Sequence, residues 1–347
     1  MPGKQHISNL AKRFCSIKEA SELASLLRKD LFQLELMTLN PRYEHFFINK
    51  PHGGFREIED PNRILKAQQT KLNEYLQCCY YLIRPDCVHG FTISANREEP
   101  RTILTNARAH INCKYLVKLD FSDFFHQIDA VRLDQMFENQ FPGFEKELCK
   151  LLNGLFLYKG RLAMGAPTSP VLSNFAMLET DGKLMDFTHS NQLNYTRYAD
   201  DLCFSSEQEI GSALITGIKD ILSSFNYKLN PDKFIVYQPE EEKQITGLII
   251  ENDLVTLPHD YLPKLEKEVN RFRVFCEVES RYHMIAKRNR MHHFEQELRG
   301  KINFAETILP ECEPVLKLSE TLDQAKELLD HSESVSWLER PYGFFHK

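Results

Sequence analysis

The 347-residue chain has no uninterrupted apolar run that approaches the length of a membrane span. Its first residues, MPGKQHISNLAKRF, lack the apolar core of a signal peptide. Its nine cysteines include no C-x-x-C pair, which argues against a zinc ribbon. An odd number of cysteines without a secretion signal indicates reduced, mostly buried thiols. Together these absences predict a soluble, cytoplasmic protein with no membrane partner. Positive charge is not in excess either: 43 Lys and Arg face 49 Asp and Glu, for a net charge of −6. Polyanion binders usually show the opposite balance. The charge is uneven along the chain, however. Arg271, Arg273, Arg281, Lys287, Arg288, Arg290, Arg299 and Lys301 gather in one stretch, while acids gather around Glu240 to Glu242 and after Pro310. Local patches, not net charge, decide where a phosphate backbone can lie.

What is present centres on YTRYADDLCFSS, Tyr195 to Ser206. Two β-prone runs flank a tight turn that presents Asp200 and Asp201 together. About 80 residues upstream, YLVKLDFSDFF delivers Asp120 at the end of another strand. Three acids on two such elements suit a phosphoryl-transfer site that holds two divalent metals.

Around them, helical spacing runs through Ser16 to Met37, Arg63 to Leu82, Ile210 to Phe225, Leu262 to Glu279 and Met284 to Leu309. An amphipathic helix follows Asp120 toward Phe141, and a long helix is expected over Thr168 to Phe187, entered through Pro167 and Pro170. Pro51-His52-Gly53-Gly54 reads as a hairpin turn, and Leu155 to Gly165 as a second, short hairpin. Lys233 to Tyr237 and Ile245 to Ile250 read as strands, and Leu318 to Asp330 as a helical run in the acidic tail. Strand, helix, hairpin, helix, strand predicts an α+β fold: a small antiparallel, ferredoxin-like sheet backed by helices.

YADD, LDFSDFF and, between them, GAPTSPVLSN (Gly165 to Asn174) occur in the order seen in reverse transcriptases. The chain resembles that family over roughly Phe32 to Pro310, and more narrowly its bacterial retron type. The resemblance implies a right-hand polymerase: an N-terminal helical segment (1–40), fingers (41–114 with part of 130–165), a palm (115–250), a helical thumb (251–310) and an acidic tail (311–347). It implies that Asp120, Asp200 and Asp201 are catalytic and, with the Phe121 carbonyl, bind two Mg²⁺ ions, Mn²⁺ being the alternative.

For the nucleotide, the resemblance implies Arg56 as the cation on the triphosphate, with Arg63 or Lys66 as helper, because guanidinium groups clamp phosphate in bidentate fashion. Phe125 would be the aromatic that excludes a 2′-hydroxyl. Gly165 and Ala166 would line the nucleotide, and Lys233 would donate a proton to the leaving pyrophosphate. The family usually carries Gln where this chain has Met164, and a thioether cannot replace an amide in hydrogen bonding.

Two further matches point to the retron branch. One is HGF (His89 to Phe91) followed by Asn106, Ala107 and His110; the other is QITGLII. In retrons these regions handle the cognate RNA, so Asn106 and His110 are expected RNA contacts. So are Arg271, Arg273, Lys287, Arg288 and Arg290 in the thumb, where aromatics interleave with basic residues. The expected activity is RNA-directed synthesis of a short DNA from a structured non-coding RNA, using deoxynucleoside triphosphates. The resemblance further implies antiphage defence with a separate effector protein, and leaves an oligomer open. Two alternatives remain: a non-retron defence enzyme with unusual templating, and a non-catalytic RNA-binding scaffold.

Overall fold

A computed structural model describes residues 2–50, 53–251, 253–282 and 288–338. Its contacts divide the chain into two units, Met1–Thr246 and Gly247–Lys347.

The first unit begins with α1 (Lys4–Cys15), α2 (Ala20–Leu27) and α3 (Leu31–Leu39). A reciprocal cap between Glu19 and Glu22 starts α2, and the Asp30 carboxylate starts α3 by accepting from the Phe32 amide. A ribbon follows, with β1 (Tyr43–Asn49) antiparallel to β2 (Phe55–Pro61). Asn62 caps α4 (Arg63–Ile83), which buries Leu65, Leu72, Leu76 and Tyr80 at helical spacing. Thr102 caps the short α5 (Ile103–Arg108). Then come β3 (Tyr115–Asp120), a 3₁₀ turn over Phe124–Gln127, α6 (Ala130–Gln140) and α7 (Lys146–Phe156). A small hairpin of β4 (Leu157–Tyr158) and β5 (Arg161–Leu162) leads to α8 (Ser169–Ala176) and α9 (Leu178–Ser190). The unit closes with β6 (Asn194–Tyr198), β7 (Asp201–Ser206), α10 (Ser212–Ser224), β8 (Ile235–Tyr237) and β9 (Lys243–Ile245).

Strands β3, β6, β7 and β8 form one antiparallel sheet in the order β6-β7-β3-β8. With α6 to α9 between its first two strands and α10 between its last two, the sheet has the ferredoxin-like βαββαβ arrangement. The α+β expectation holds. Leu116, Val117 and Leu119 of β3 are buried, as a central strand requires.

The second unit pairs β10 (Leu248–Glu251) with β11 (Leu254–Thr256) and adds α11 (Tyr261–Tyr282), α12 (Arg288–Ile308) and α13 (Glu313–Leu338). Leu265, Val269, Phe272, Leu298, Ile302, Val315 and Leu322 are buried among these helices.

Several elements differ from expectation. The helix expected over Thr168 to Phe187 is two helices, broken at Met177. The strand expected over Ile245 to Ile250 is interrupted by Thr246 and Gly247, both with positive φ. The tail run Leu318 to Asp330 lies inside the longer α13. Pro51, His52 and Met284 to Lys287 lie outside the described residues. No helix among the described residues is long and apolar enough to cross a membrane.

Candidate active site

Strand register brings the three acids together. Asp120 ends β3 directly opposite Asp201, the first residue of β7, and Asp201 also faces Tyr198 across the hairpin. Only Ala199 and Asp200 separate β6 from β7, and Ala199 takes the left-handed conformation with φ of +57°. That turn sets Asp200 beside its two neighbours.

The electrostatics are those of crowded anions. Burial raises the Asp200 carboxyl above its ordinary range, and the Asp120 charge raises it further. Burial, with the charges of Asp200 and Asp120, pushes Asp201 up to about 7. Lys233 Nζ reaches Asp120 Oδ2 at 2.7 Å. Partial burial opposes the lysine charge, but Asp120, Asp200 and Asp201 outweigh it and hold the ammonium above its usual range. The other oxygen of Asp120, Oδ1, is buried with no hydrogen-bond partner. Three converging carboxylates that repel one another, with one oxygen orphaned, are a donor set suited to hard divalent cations.

Beneath the turn lies a buried polar network that sequence reasoning missed. Arg197 of β6 is fully buried. It donates to Asp181 Oδ1 at 2.9 Å and Oδ2 at 2.6 Å, to Asn174 Oδ1 at 2.9 Å and to the Ala199 carbonyl at 3.0 Å. Burial works against its charge, yet Asp181 keeps the guanidinium firmly protonated. Tyr195 also donates to Asp181, at 2.8 Å. The available signal was strand alternation: Tyr195 and Arg197 share one face, and that face points inward. Gly90 presses on the same turn, where an added Cβ would lie 2.6 Å from the Ala199 nitrogen.

The remaining expected residues divide into groups. Arg56 is exposed on β2, and its charge acts on Asp200. Arg63 is exposed on α4, while Lys66 is paired with Asp60 at 2.6 Å. Phe125 is half-buried on the 3₁₀ turn. Gly165 has φ of +135°, and an added Cβ would lie 2.8 Å from the Glu59 carbonyl oxygen. The close approach visible at this glycine is therefore to β2, and Ala166 beside it is buried. Phe121 is buried, with its ring stacked on Phe124.

The Met164 carbonyl accepts from the Glu59 amide at 2.7 Å, so its backbone joins the ribbon to the segment between β5 and α8. Glu59 itself is buried and held by Arg161 at 2.7 and 2.9 Å. Burial opposes its charge, but Arg161 brings its carboxyl below the ordinary range.

The expected RNA contacts need correction. Asn106 is fully buried, and His110 is buried between Ser205 Oγ at 2.6 Å and Thr196 Oγ1 at 2.7 Å. Neither side chain is open to a nucleic acid; His110 ties the end of the α5 segment to the sheet. Thr246 Oγ1 donates to the Ile103 carbonyl at 3.4 Å, so the second retron-like motif reaches the start of α5, the helix that carries Asn106. In the second unit Arg271 and Arg273 are exposed, the former lying 5.4 Å from the Phe275 ring centroid. Phe272 and Phe294 pack edge to face at 5.8 Å, with Phe272 buried, so these two expected interleaving aromatics face the helix bundle. Lys287 and the side chains of Arg288 and Arg290 lie outside the described residues.

A βαββαβ sheet with acids gathered at one end defines the palm of a right-hand polymerase. Residues 48–250 match the family described as reverse transcriptase (RNA-dependent DNA polymerase), and the chain belongs to that family. It is similar to the Retron Ec86 reverse transcriptase of Escherichia coli, 26% identical over 259 residues covering 73% of this chain and 76% of the relative. It is 33% identical to the Retron Ec73 reverse transcriptase of Escherichia coli over 255 residues, 67% of this chain and 77% of the relative. These likenesses make the enzyme an RNA-directed DNA polymerase of the retron type. Among solved structures, a telomerase from Candida albicans in complex with a fragment of telomeric RNA aligns over 88% of this chain and 67% of that chain, with a TM-score of 0.48 and 11% identity.

Proposed function

We propose that this reverse transcriptase copies part of a structured non-coding RNA into a short DNA, in a bacterial antiphage system with a separate effector protein. The observation that carries the catalytic reading is the meeting of Asp120, Asp200 and Asp201 at one sheet end, with Asp120 Oδ1 buried and unpartnered. These carboxylates, with the Phe121 carbonyl, would hold two Mg²⁺ ions. The ions, once bound, would activate a 3′-hydroxyl and steady the leaving pyrophosphate.

The chain's own residues would do the rest. Arg56 clamps the triphosphate from β2, with Arg63 as its helper; Lys66 would first have to leave Asp60. Lys233, already beside the acids, holds a proton for the departing pyrophosphate. The Phe125 ring excludes a 2′-hydroxyl by sterics and so selects deoxynucleotides. Residues 115–250 serve as palm, 41–114 with part of 130–165 as fingers, and 251–310 as thumb. Arg271 and Arg273 give the thumb exposed charge for a duplex backbone. The cytoplasm supplies RNA and deoxynucleotides.

The test is to purify the enzyme from its native locus and sequence the nucleic acid that accompanies it. The expected result is a defined hairpin RNA joined to a short complementary DNA, with DNA synthesis falling at least about a thousandfold in Asp200→Ala. DNA of repetitive or untemplated sequence would reject the retron template and direct attention to Met164. Unchanged function in Asp200→Ala would reject catalysis in favour of an RNA-binding scaffold.

A further inference from the structure

Phe91 has no place in the chemistry above, yet its conformation is unusual and strongly held. Its φ is +57°, in the left-handed region that a bulky side chain rarely enters. Its carbonyl accepts from Asn174 Nδ2 at 3.1 Å and from Gln77 Nε2 at 3.2 Å. Asn174 Nδ2 also donates to the Gly90 carbonyl at 3.0 Å, while its oxygen is taken by Arg197. Two side-chain amides, one from α8 and one from α4, thus fix a backbone that would otherwise relax. Strain that the surroundings over-determine in this way is most common at functional sites.

The constraint aims the ring. Phe91 stacks on Phe125 with centroids 6.0 Å apart and planes at 29°. Phe125 also meets Phe124, at 5.9 Å and 30°. Phe124 is anchored in the core by Phe121, at 4.9 Å and 13°. Phe125 therefore has one aromatic neighbour fixed by the core and one fixed only by the strained loop. The same loop touches the acidic turn, since the His89 amide donates to the Arg197 carbonyl at 2.9 Å and Gly90 abuts Ala199. Three residues, His89 to Phe91, set the spacing between the acids and the ring expected to face the sugar.

We propose that Phe91 is a positioning residue for sugar selection, backing the Phe125 ring so that it excludes ribonucleoside triphosphates. This rests on the reading of Phe125 as the sugar gate. A half-exposed ring without a backing neighbour can change rotamer and open room for a 2′-hydroxyl. Aromatic pairs of this geometry contribute enough to shift such a balance by about tenfold.

The experiment measures kcat/KM for a deoxynucleotide and for the matching ribonucleotide on an RNA template with a DNA primer. It compares the full-length wild-type chain, Phe91→Asn, Phe125→Ala and the double variant. Asn removes the ring and tolerates the left-handed backbone; Phe91→Gly, which also relieves the strain, replaces it if the Asn variant fails to fold. The expected result is a deoxy-over-ribo preference about tenfold lower in Phe91→Asn, with deoxynucleotide kcat/KM changed less than about threefold. Phe125→Ala should fall at least as far, and the double variant no further. If Phe125→Ala loses the preference while Phe91→Asn keeps it, the inference is overturned and the gate stands. If Phe125→Ala keeps the preference, the gate falls and the inference with it. Equal loss of both nucleotides in Phe91→Asn would assign a purely structural role and overturn the proposal.

Discussion

Removing the Asp181 carboxylate should damage the enzyme more than removal of almost any exposed charge. Arg197 is completely buried, and of its four side-chain hydrogen bonds to oxygen only those to Asn174 and Ala199 would survive. In Asp181→Ala the guanidinium loses both carboxylate oxygens, and Tyr195 loses its acceptor. An uncompensated buried charge costs about 3–5 kcal/mol. The exposed Lys66–Asp60 pair, by contrast, contributes about 0–1 kcal/mol. For a unit of this size, such a loss lowers the melting temperature by about 6–20 °C.

Differential scanning calorimetry of the two variants, Asp181→Ala and Asp60→Ala, provides the comparison. Pairing Asp181→Leu with Arg197→Met removes both charges and should recover part of the melting temperature. DNA synthesis should not recover with it, because without Arg197 the Ala199 carbonyl and the Asn174 amide oxygen lose their donor. An Asp181→Ala protein that melts within about 1 °C of wild type would refute the reasoning.

Two further outcomes follow from contacts at the sheet. Gly90→Ala places a Cβ against the backbone of Ala199, so the acidic turn or the His89–Phe91 loop must move. Overpacking of this kind costs about 1–3 kcal/mol, and primer extension should fall by more than the melting curve implies; wild-type extension would dismiss the close approach as inconsequential. His110 is held neutral by burial, its pKa lowered from 6.5 to about 3. Above pH 6.5 the ring is neutral in both folded and unfolded chains, so nothing is lost. Below that, the unfolded chain takes up a proton that the folded chain refuses, and stability falls by up to about 1.4 kcal/mol per pH unit toward pH 3. Urea titrations of wild type and His110→Gln between pH 7 and 5 should show the shallower acid dependence in the variant; parallel curves would place the ring's titration elsewhere.

Much of this architecture could be read from local pattern. The β6–β7 hairpin, the strand that ends at Asp120 and the proline-led start of α8 each carry their signal within a few residues. The misses have different causes. Helices α1 and α7 bury Ile7, Ala11 and Phe14 and Leu148, Leu151, Leu152 and Leu155 at helical spacing, a local signal that was present in the sequence and went unread. The long helix expected after Thr168 breaks at Met177 although no proline or glycine stands there. Asn106 and His110 were expected to face RNA because the motif they match handles RNA in retrons. Their burial depends on where the sheet passes, with Ser205 and Thr196 waiting about 90 residues away to receive the His110 ring. Arg197 illustrates the same limit: its strand was evident, but its acid partner on α9 becomes a neighbour only after folding.

Among the described residues, the ribbon of β1 and β2 is tied to the rest of the unit near its base. Tyr43 stacks on Tyr158 with centroids 4.1 Å apart, and Glu59 is gripped by Arg161 and the Met164 carbonyl. Toward the tip, Phe47 and Phe55 are 65% and 68% exposed. Such a two-stranded ribbon, anchored at one end, would act as a cantilever that bends most at its far end. Arg56, paired with Ile48 next to the tip, rides where deflection is greatest, whereas Asp200 belongs to the rigid mount. Bending of that one ribbon would vary the distance between cation and acids, while the carboxylates kept their mutual geometry.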